Sequence, residues 1–227
     1  MKSFFIKLSK LIFRDKIQIE FARKLIHMSS IILPLFYLYI FTFYINYKRI
    51  TIIVFAILVI ISLIVELLRL ENKTFRKTFH FMFGVMLRRH EINNFTGASY
   101  LLVSAIFCIA FFPPDIAFLA MAFLSIGDTF AALVGIRFGK RIFIKTSKSL
   151  EGTLACFVTT FIFGLVYLQL PIIHNPEYSH PAIALSGAIS ASVAELVNIP
   201  LDDNVKIPII SGIVMWITYY ICGGLGL

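Results

Sequence analysis

Charge is scarce in this chain. Only 15% of its 227 residues are charged and twelve are acidic, whereas a soluble domain carries about a quarter charged residues. With 59% hydrophobic residues and a mean hydropathy of +0.90, the composition excludes an ordinary soluble globule. Cysteine is also rare: Cys108, Cys156 and Cys222 all fall inside apolar runs, where a thiol behaves as a small hydrophobe, so a disulfide framework is excluded. Period-two alternation is missing, which excludes an outer-membrane barrel.

What the sequence has instead is apolar runs of about 16 to 22 residues, the length that helices need to cross a hydrocarbon core of roughly 30 Å. They predict an all-α integral membrane protein of about seven transmembrane helices, at about 27–47, 50–68, 97–112, 115–136, 150–170, 182–197 and 205–225. Residues 20–227 read as one polytopic domain. The apolar stretch near Leu11–Phe13 is short and is followed by Arg14, Asp15, Lys16 and Glu20. No small-residue cleavage site follows, so the N-terminus is expected to be retained.

Lys and Arg set the orientation, because short cytoplasmic loops hold their excess. With the N-terminus cytoplasmic and the C-terminus outside, nineteen of the 21 basic residues lie inside, leaving only Lys48 and Arg49 outside. The net charge of +9 is then a property of one membrane face and no nucleic-acid footprint. Two segments read as interfacial amphipathic helices. In residues 1–19, Phe4, Phe5, Leu8, Leu11 and Ile12 alternate with Lys2, Lys7, Lys10 and Arg14, as in a membrane anchor. In the second, Phe75, Phe79, Met82, Phe83 and Met86 form one stripe beside Arg76, Lys77, Arg88 and Arg89; anchor and substrate-collecting platform both fit it.

Polar groups at spans are costly, so their positions are informative. Ten of the twelve acidic residues fall on the basic face, and only Asp115 and Glu177 lie opposite. The densest patch is Gly127-Asp128 through Lys140, then Arg141, Lys145 and Lys148-Ser149-Leu150-Glu151-Gly152. Gly127, Ala131, Gly135 and Gly139 recur every four residues, a small-residue row that lets a helix or a ligand approach closely. Ser149 is placed to cap the fifth span, whose free amides and positive dipole end face an anion. Together these features read as a polyphosphate site. Helix packing and plain topology explain the row and the basic loop singly. They do not explain Asp128 and Glu151, which call for a cation such as Mg²⁺ bound to phosphates.

Other groups collect at the same level. Arg23 and His27 are four apart and share a face, with Lys24 adjacent. Glu66 and Arg69 have the spacing of a helix-surface ion pair. Asn94 through Tyr100 opens the third span with polar groups, and Glu195 closes the sixth. Asp202-Asp203-Asn204 offers either hard oxygen ligands or a turn that caps the seventh span. The third and sixth spans are short, about 24 Å long, so recessed ends and a wet cavity are expected there.

The run Asp128-x-x-Ala131-x-x-x-Gly135-x-x-x-Gly139, with Lys148-x-x-Glu151-Gly152 after it, resembles the CTP-binding signature of the dolichol kinase, polyprenol kinase, phytol kinase and CTP-dependent diacylglycerol kinase family. Arg23-Lys24-x-x-His27, Glu66-x-x-Arg69, Thr96-Gly97-Ala98-x-Tyr100 and Glu195 with Asp202-Asp203-Asn204 are similar too. Ser147-Lys148-Ser149 stands where dolichol kinases often carry Lys-Lys-Thr, closer to the shorter bacterial and plastid members. The resemblance implies phosphoryl transfer from CTP, or another nucleoside triphosphate, to the hydroxyl of a membrane lipid, with Mg²⁺ or another divalent cation. A multi-pass protein of a prokaryotic cytoplasmic membrane is expected.

On this reading Asp128 helps hold the metal, and Lys140, Arg141, Lys145 and Lys148 neutralise the triphosphate. Glu151 or the Asp202-Asp203-Asn204 cluster completes the metal shell. Asp128, Glu195 and His27 are candidates to accept the alcohol proton, Asp128 first. Two rivals stand beside it: a phosphatidate cytidylyltransferase, which moves the nucleotidyl group, and a lipid or ion transporter, in which the acids would carry protons.

Overall fold

The computed structural model describes residues 18–43, 47–84, 87–143, 148–170 and 180–224. The expected 1–19 amphipathic helix therefore lies almost wholly outside the described residues, as do Met86, Lys145 and Glu177. Among the described residues the regular structure is helical, apart from one isolated bridge between Ile142 and Ser149. We number the helices α1 (18–28), α2 (Ile32–Phe43), α3 (Tyr47–Glu71), α4 (Lys73–Phe83), α5 (Gly97–Phe111), α6 (Pro114–Phe138), α7 (Leu150–Leu168), α8 (Pro181–Leu196) and α9 (Asp203–Gly224).

Among the described residues, five helices are long and apolar enough to cross a membrane: Gln18–Ile40, Lys48–Glu71, Pro114–Phe138, Leu150–Leu168 and Asp203–Cys222. Gly97–Phe111 and Pro181–Leu196 are shorter apolar helices. Each expected span thus corresponds to a helix, with bounds that shift by up to three residues in the second, since Tyr47 opens α3, and most in the first. The first begins at residue 18, not 27, because Glu20, Arg23 and Lys24 continue the helix while turning inward at its end. A single 3-10 turn, Ser29–Ile31, joins α1 to α2.

Helix α6 is the central post and is buried along most of its length, packed against α2, α5, α7, α8 and α9. Pro114 at its first turn and Asp115 beside it suit a helix start. The small-residue row on α6 is in part the packing device that topology suggested: a side chain at Gly127 would stand 2.8 Å from Cys156 Sγ and 2.9 Å from Thr160 Cγ2 of α7. Helix α3 lies at the periphery and turns Ile53, Ile57, Ile60 and Ile64 outward, as a lipid-facing helix does.

Two details tie the short helices down. Pro208 inside α9 cannot donate to the Asn204 carbonyl, and Ser104 Oγ of α5 donates to that oxygen at 2.7 Å instead. The Glu66–Arg69 pair is no surface ion pair: both side chains are buried. Arg69 donates to the carbonyls of Glu91 (2.8 Å), Ile92 (3.1 Å) and Asn94 (2.6 Å), while Glu66 accepts from the Thr96 amide at 2.9 Å and its hydroxyl at 2.5 Å. This node folds the 91–96 connection over the end of α3 and sets the start of α5.

Candidate active site

The site is built where α1, α6, α7, α8 and α9 end together. Asp128 of α6, 2% exposed, forms an ion pair with Lys24 of α1. His27 Nε2, one turn on, lies 3.4 Å from the same carboxylate oxygen. Across the gap, Lys148 Nζ stands 2.7 Å from Glu195 of α8 and 3.1 Å from Asp203 of α9, and Asp203 also meets Lys206 at 2.9 Å. Burial pulls the Lys148 ammonium down; the Asp203, Glu195 and Asp128 carboxylates outweigh that and hold it above the usual lysine range.

Ser149 caps α7, accepting from the Gly152 amide at 3.1 Å. Residues 141–143 and 148–150 pair as a clasp, with the Phe143 amide donating to Lys148 O at 3.1 Å and the Leu150 amide to Arg141 O at 2.9 Å. A side chain at Gly152 would stand 2.6 Å from the Ala131 carbonyl, so α6 and α7 meet backbone to backbone at this level.

Between these elements lies a cavity of about 480 Å³. Its wall carries four cations, Arg23, Lys24, Arg88 and Lys148, and four carboxylates, Glu20, Asp128, Glu195 and Asp203; Ala131, Gly135, Ser149 and Gly152 form its small-residue side. The sequence-selected residues Arg23, Lys24, Asp128, Ala131, Gly135, Lys148, Ser149, Gly152, Glu195 and Asp203 are thus brought together.

Others are placed elsewhere. Gly127 is packed against α7, and Gly139 lies under Ser149. Lys140 and Arg141 are exposed, and their backbone amides donate to Glu151 at 3.1 and 3.3 Å; Glu151 holds the clasp instead of lining the cavity. Asp202 acts in the capping role, accepting from the Asn204 amide at 2.9 Å and side chain at 2.7 Å. Lys145 lies outside the described residues.

A second cavity of about 640 Å³, bounded by Asn94, Phe95, Tyr100 and the 196–203 segment, shares Arg88, Lys148, Glu195 and Asp203 with the first. A third, mostly apolar, of about 550 Å³ shares Arg23, Lys24 and Arg88. Arg88 touches all three, although in the sequence it stands only as a charge on an amphipathic segment. Its 3.4 Å approach to Asp202, 114 residues away, has no sequence signal.

Among the described residues no three His, Cys, Asp or Glu side chains form a metal cage. Mg²⁺ does not require one, since it uses one or two carboxylates together with substrate phosphates and keeps several waters. Three carboxylates on one cavity wall, each already balanced by a lysine, fit a cation that arrives with phosphates.

Fold and site together define a polytopic helical membrane protein with paired lysines and carboxylates around a cavity at one end. No family model matches the chain, and no solved structure matches it. It is 29% identical to CTP-dependent diacylglycerol kinase 1 of Saccharomyces cerevisiae over 86% of this chain and 72% of that protein. It is 30% identical to an uncharacterized protein of Rickettsia prowazekii over 84% of this chain and 90% of that one. A shorter likeness, 38% identity over 37% of this chain and 16% of the relative, is to dolichol kinase of Saccharomyces cerevisiae. These likenesses support the CTP-dependent lipid kinase family, whose named relatives are transferases.

Proposed function

We propose that this chain transfers the γ-phosphoryl group of CTP to the hydroxyl of a membrane lipid alcohol, a diacylglycerol or an isoprenoid alcohol, with a divalent cation such as Mg²⁺, at the cytoplasmic face. The observation that carries the proposal is the charge balance of the 480 Å³ cavity: four cations face four carboxylates. A bare triphosphate would compete with Asp128, Glu195 and Asp203 for the same lysines. Asp128, Glu195 and Asp203 would hold a cation that arrives with the phosphates, which would leave Arg23, Lys24, Arg88 and Lys148 for the phosphate oxygens. Asp128 is the first candidate to hold the metal, with Glu195 or Asp203 beside it; when bound, the cation would neutralise charge on the transferring group.

The remaining work belongs to side chains of this chain. The lipid oxygen forms a bond to the γ-phosphorus, the bond from that phosphorus to the bridging oxygen breaks, and CDP departs with the electron pair. The hydroxyl proton goes to the Asp128–His27 pair. What supports this division is that Asp128 walls the charged cavity while His27 walls the apolar one, 3.4 Å away. The clustering of Arg23, Lys24, Arg88, Lys148 and Lys206 around one end supports a cytoplasmic basic face.

The test is an assay of purified protein with CTP labelled in either the γ- or the α-phosphate and a panel of lipid alcohols. The γ label is expected in the lipid and the α label in CDP. An α label in the lipid would establish nucleotidyl transfer and overturn the proposal.

A further inference from the structure

We propose that the third cavity, walled by α1, α2, α4 and α5, is the berth of the acceptor's apolar chain, with the lipid hydroxyl at His27. This rests on the phosphoryl-transfer reading above and adds a location for its second substrate. The cavity's volume of about 550 Å³ falls within the range of ligand sites. Ile26, Leu33, Phe79, Phe83, Leu101 and Leu102 give it an apolar wall. It adjoins the charged cavity through Arg23, Lys24 and Arg88, so an alcohol at that boundary meets the phosphate end of a nucleotide.

The polar groups of its wall are decisive. Ser29 donates to Ile26 O at 2.5 Å, Ser30 Oγ and Ser125 Oγ share a bond of 2.8 Å, and Thr96 donates to Glu66. Glu91 accepts from the Gly97 and Arg88 amides, and Asn204 donates to Asp202. Arg23, Lys24 and Arg88 are paired with Glu20, Asp128 and Asp202. His27 Nε2 differs: it is buried and, though 3.4 Å from the Asp128 carboxylate, has no hydrogen-bond partner among the described residues. Buried polar atoms are nearly always satisfied, and a hydroxyl at the end of an apolar chain supplies the partner.

Access follows from α4. At 11 residues it is about 16 Å long, too short to span. Asn72 caps it, accepting from the Thr74 and Phe75 amides at 2.9 and 3.1 Å. Phe79 and Phe83 line the cavity, while Phe81, 92% exposed, and Met82, 65% exposed, point away. A helix of this kind lies in the membrane interface. On the other wall Ile32 of α2 is 67% exposed. A lipid chain passes between α2 and α4 without leaving apolar surroundings, so the second amphipathic segment serves as a platform for the acceptor.

The experiment is photolabelling of the full chain in phosphatidylcholine vesicles with a diazirine-bearing diacylglycerol and, separately, a diazirine-bearing isoprenoid alcohol. Adducts are expected on the α2, α4 and α5 walls, removed by excess unlabelled lipid of the accepted class; competition by one class alone supports the berth and names the acceptor. Adducts confined to the outer faces of α3, α7 or α8, or adducts that no lipid displaces, overturn it. Leu102→Trp, which fills the cavity, is expected to raise KM for the lipid about tenfold or more while leaving the Kd for CTP unchanged. An unchanged lipid KM in a variant that still binds CTP overturns the berth. If wild-type protein binds no CTP, the phosphoryl-transfer reading fails, and the labelling pattern still decides the berth.

Discussion

Two aspartates lie buried on α6, one in its first turn and one near its middle, roughly 20 Å apart along the axis. Asp115 is 1% exposed and accepts a hydrogen bond from Tyr167 Oη at 2.6 Å. It sits in the first turn, where free amides and the positive dipole end favour a carboxylate. Asp128 is 2% exposed and faces Lys24, His27 and a cavity whose far wall carries Lys148. Burial is equal, so burial does not mark the site. The difference is in the partners: a hydroxyl and a helix end fix Asp115 in place, whereas Asp128 is held by a lysine that, on the proposed function, would exchange it for a phosphate.

The sharpest way to break this comparison is to neutralise each aspartate. Asp128→Asn is expected to lower turnover by about a thousandfold, measured as γ-label transfer at saturating CTP in a protein that still folds. Asp115→Asn is expected to lower the Tm and leave turnover in the surviving protein unchanged. Similar kinetic losses in both would erase the distinction.

Lys148→Met comes next. It strips Glu195 and Asp203 of a shared cation, and charge-assisted bonds are worth about 1.5–3 kcal/mol each. KM for CTP should rise on the order of tenfold to a hundredfold. The pH dependence carries a definite sign. Because the folded Lys148 value lies above the ordinary 10.5, its ion pairs contribute fully below that pH and are lost only as pH rises through the raised value. CTP affinity should therefore show no decline owed to Lys148 between neutral pH and 10.5; a fall in that window absent from Lys148→Met would contradict the pairing.

Glycines on the same helix sharpen the contrast further. Gly127→Val meets Cys156 and Thr160 and is expected to cost about 1–3 kcal/mol of stability with CTP affinity retained. Gly135→Val, on the cavity wall, is expected to weaken CTP binding. The smallest effect is Tyr167→Phe, which removes a bond to Asp115; thermal denaturation should show a loss of about 1–3 kcal/mol, with KM and kcat unmoved.

Helices were legible in the sequence because apolar runs of spanning length have few alternative structures, and the Lys and Arg pattern picked out Arg23, Lys24 and Lys148 of one cavity wall but not Arg88. The Asp128, Lys148 and Gly152 constellation was legible from spacing within one stretch of chain. What spacing did not reveal was which groups are diverted to backbone. Glu151 looks like a metal ligand by position, yet the neighbouring Lys140 and Arg141 amides claim it. The Glu66–Arg69 spacing says that the two side chains meet, but not that the 91–96 connection buries them. Arg88 joins the site through contacts more than a hundred residues distant, which no local pattern encodes.

The most direct measurement is the equilibrium affinity of the purified chain for CTP, with and without Mg²⁺, in wild type and in Lys148→Met. Binding that is tighter with Mg²⁺ and sharply weakened in the variant is expected from a cavity of paired lysines and carboxylates. No CTP binding by the folded wild type, or an affinity indifferent to Lys148, would contradict it.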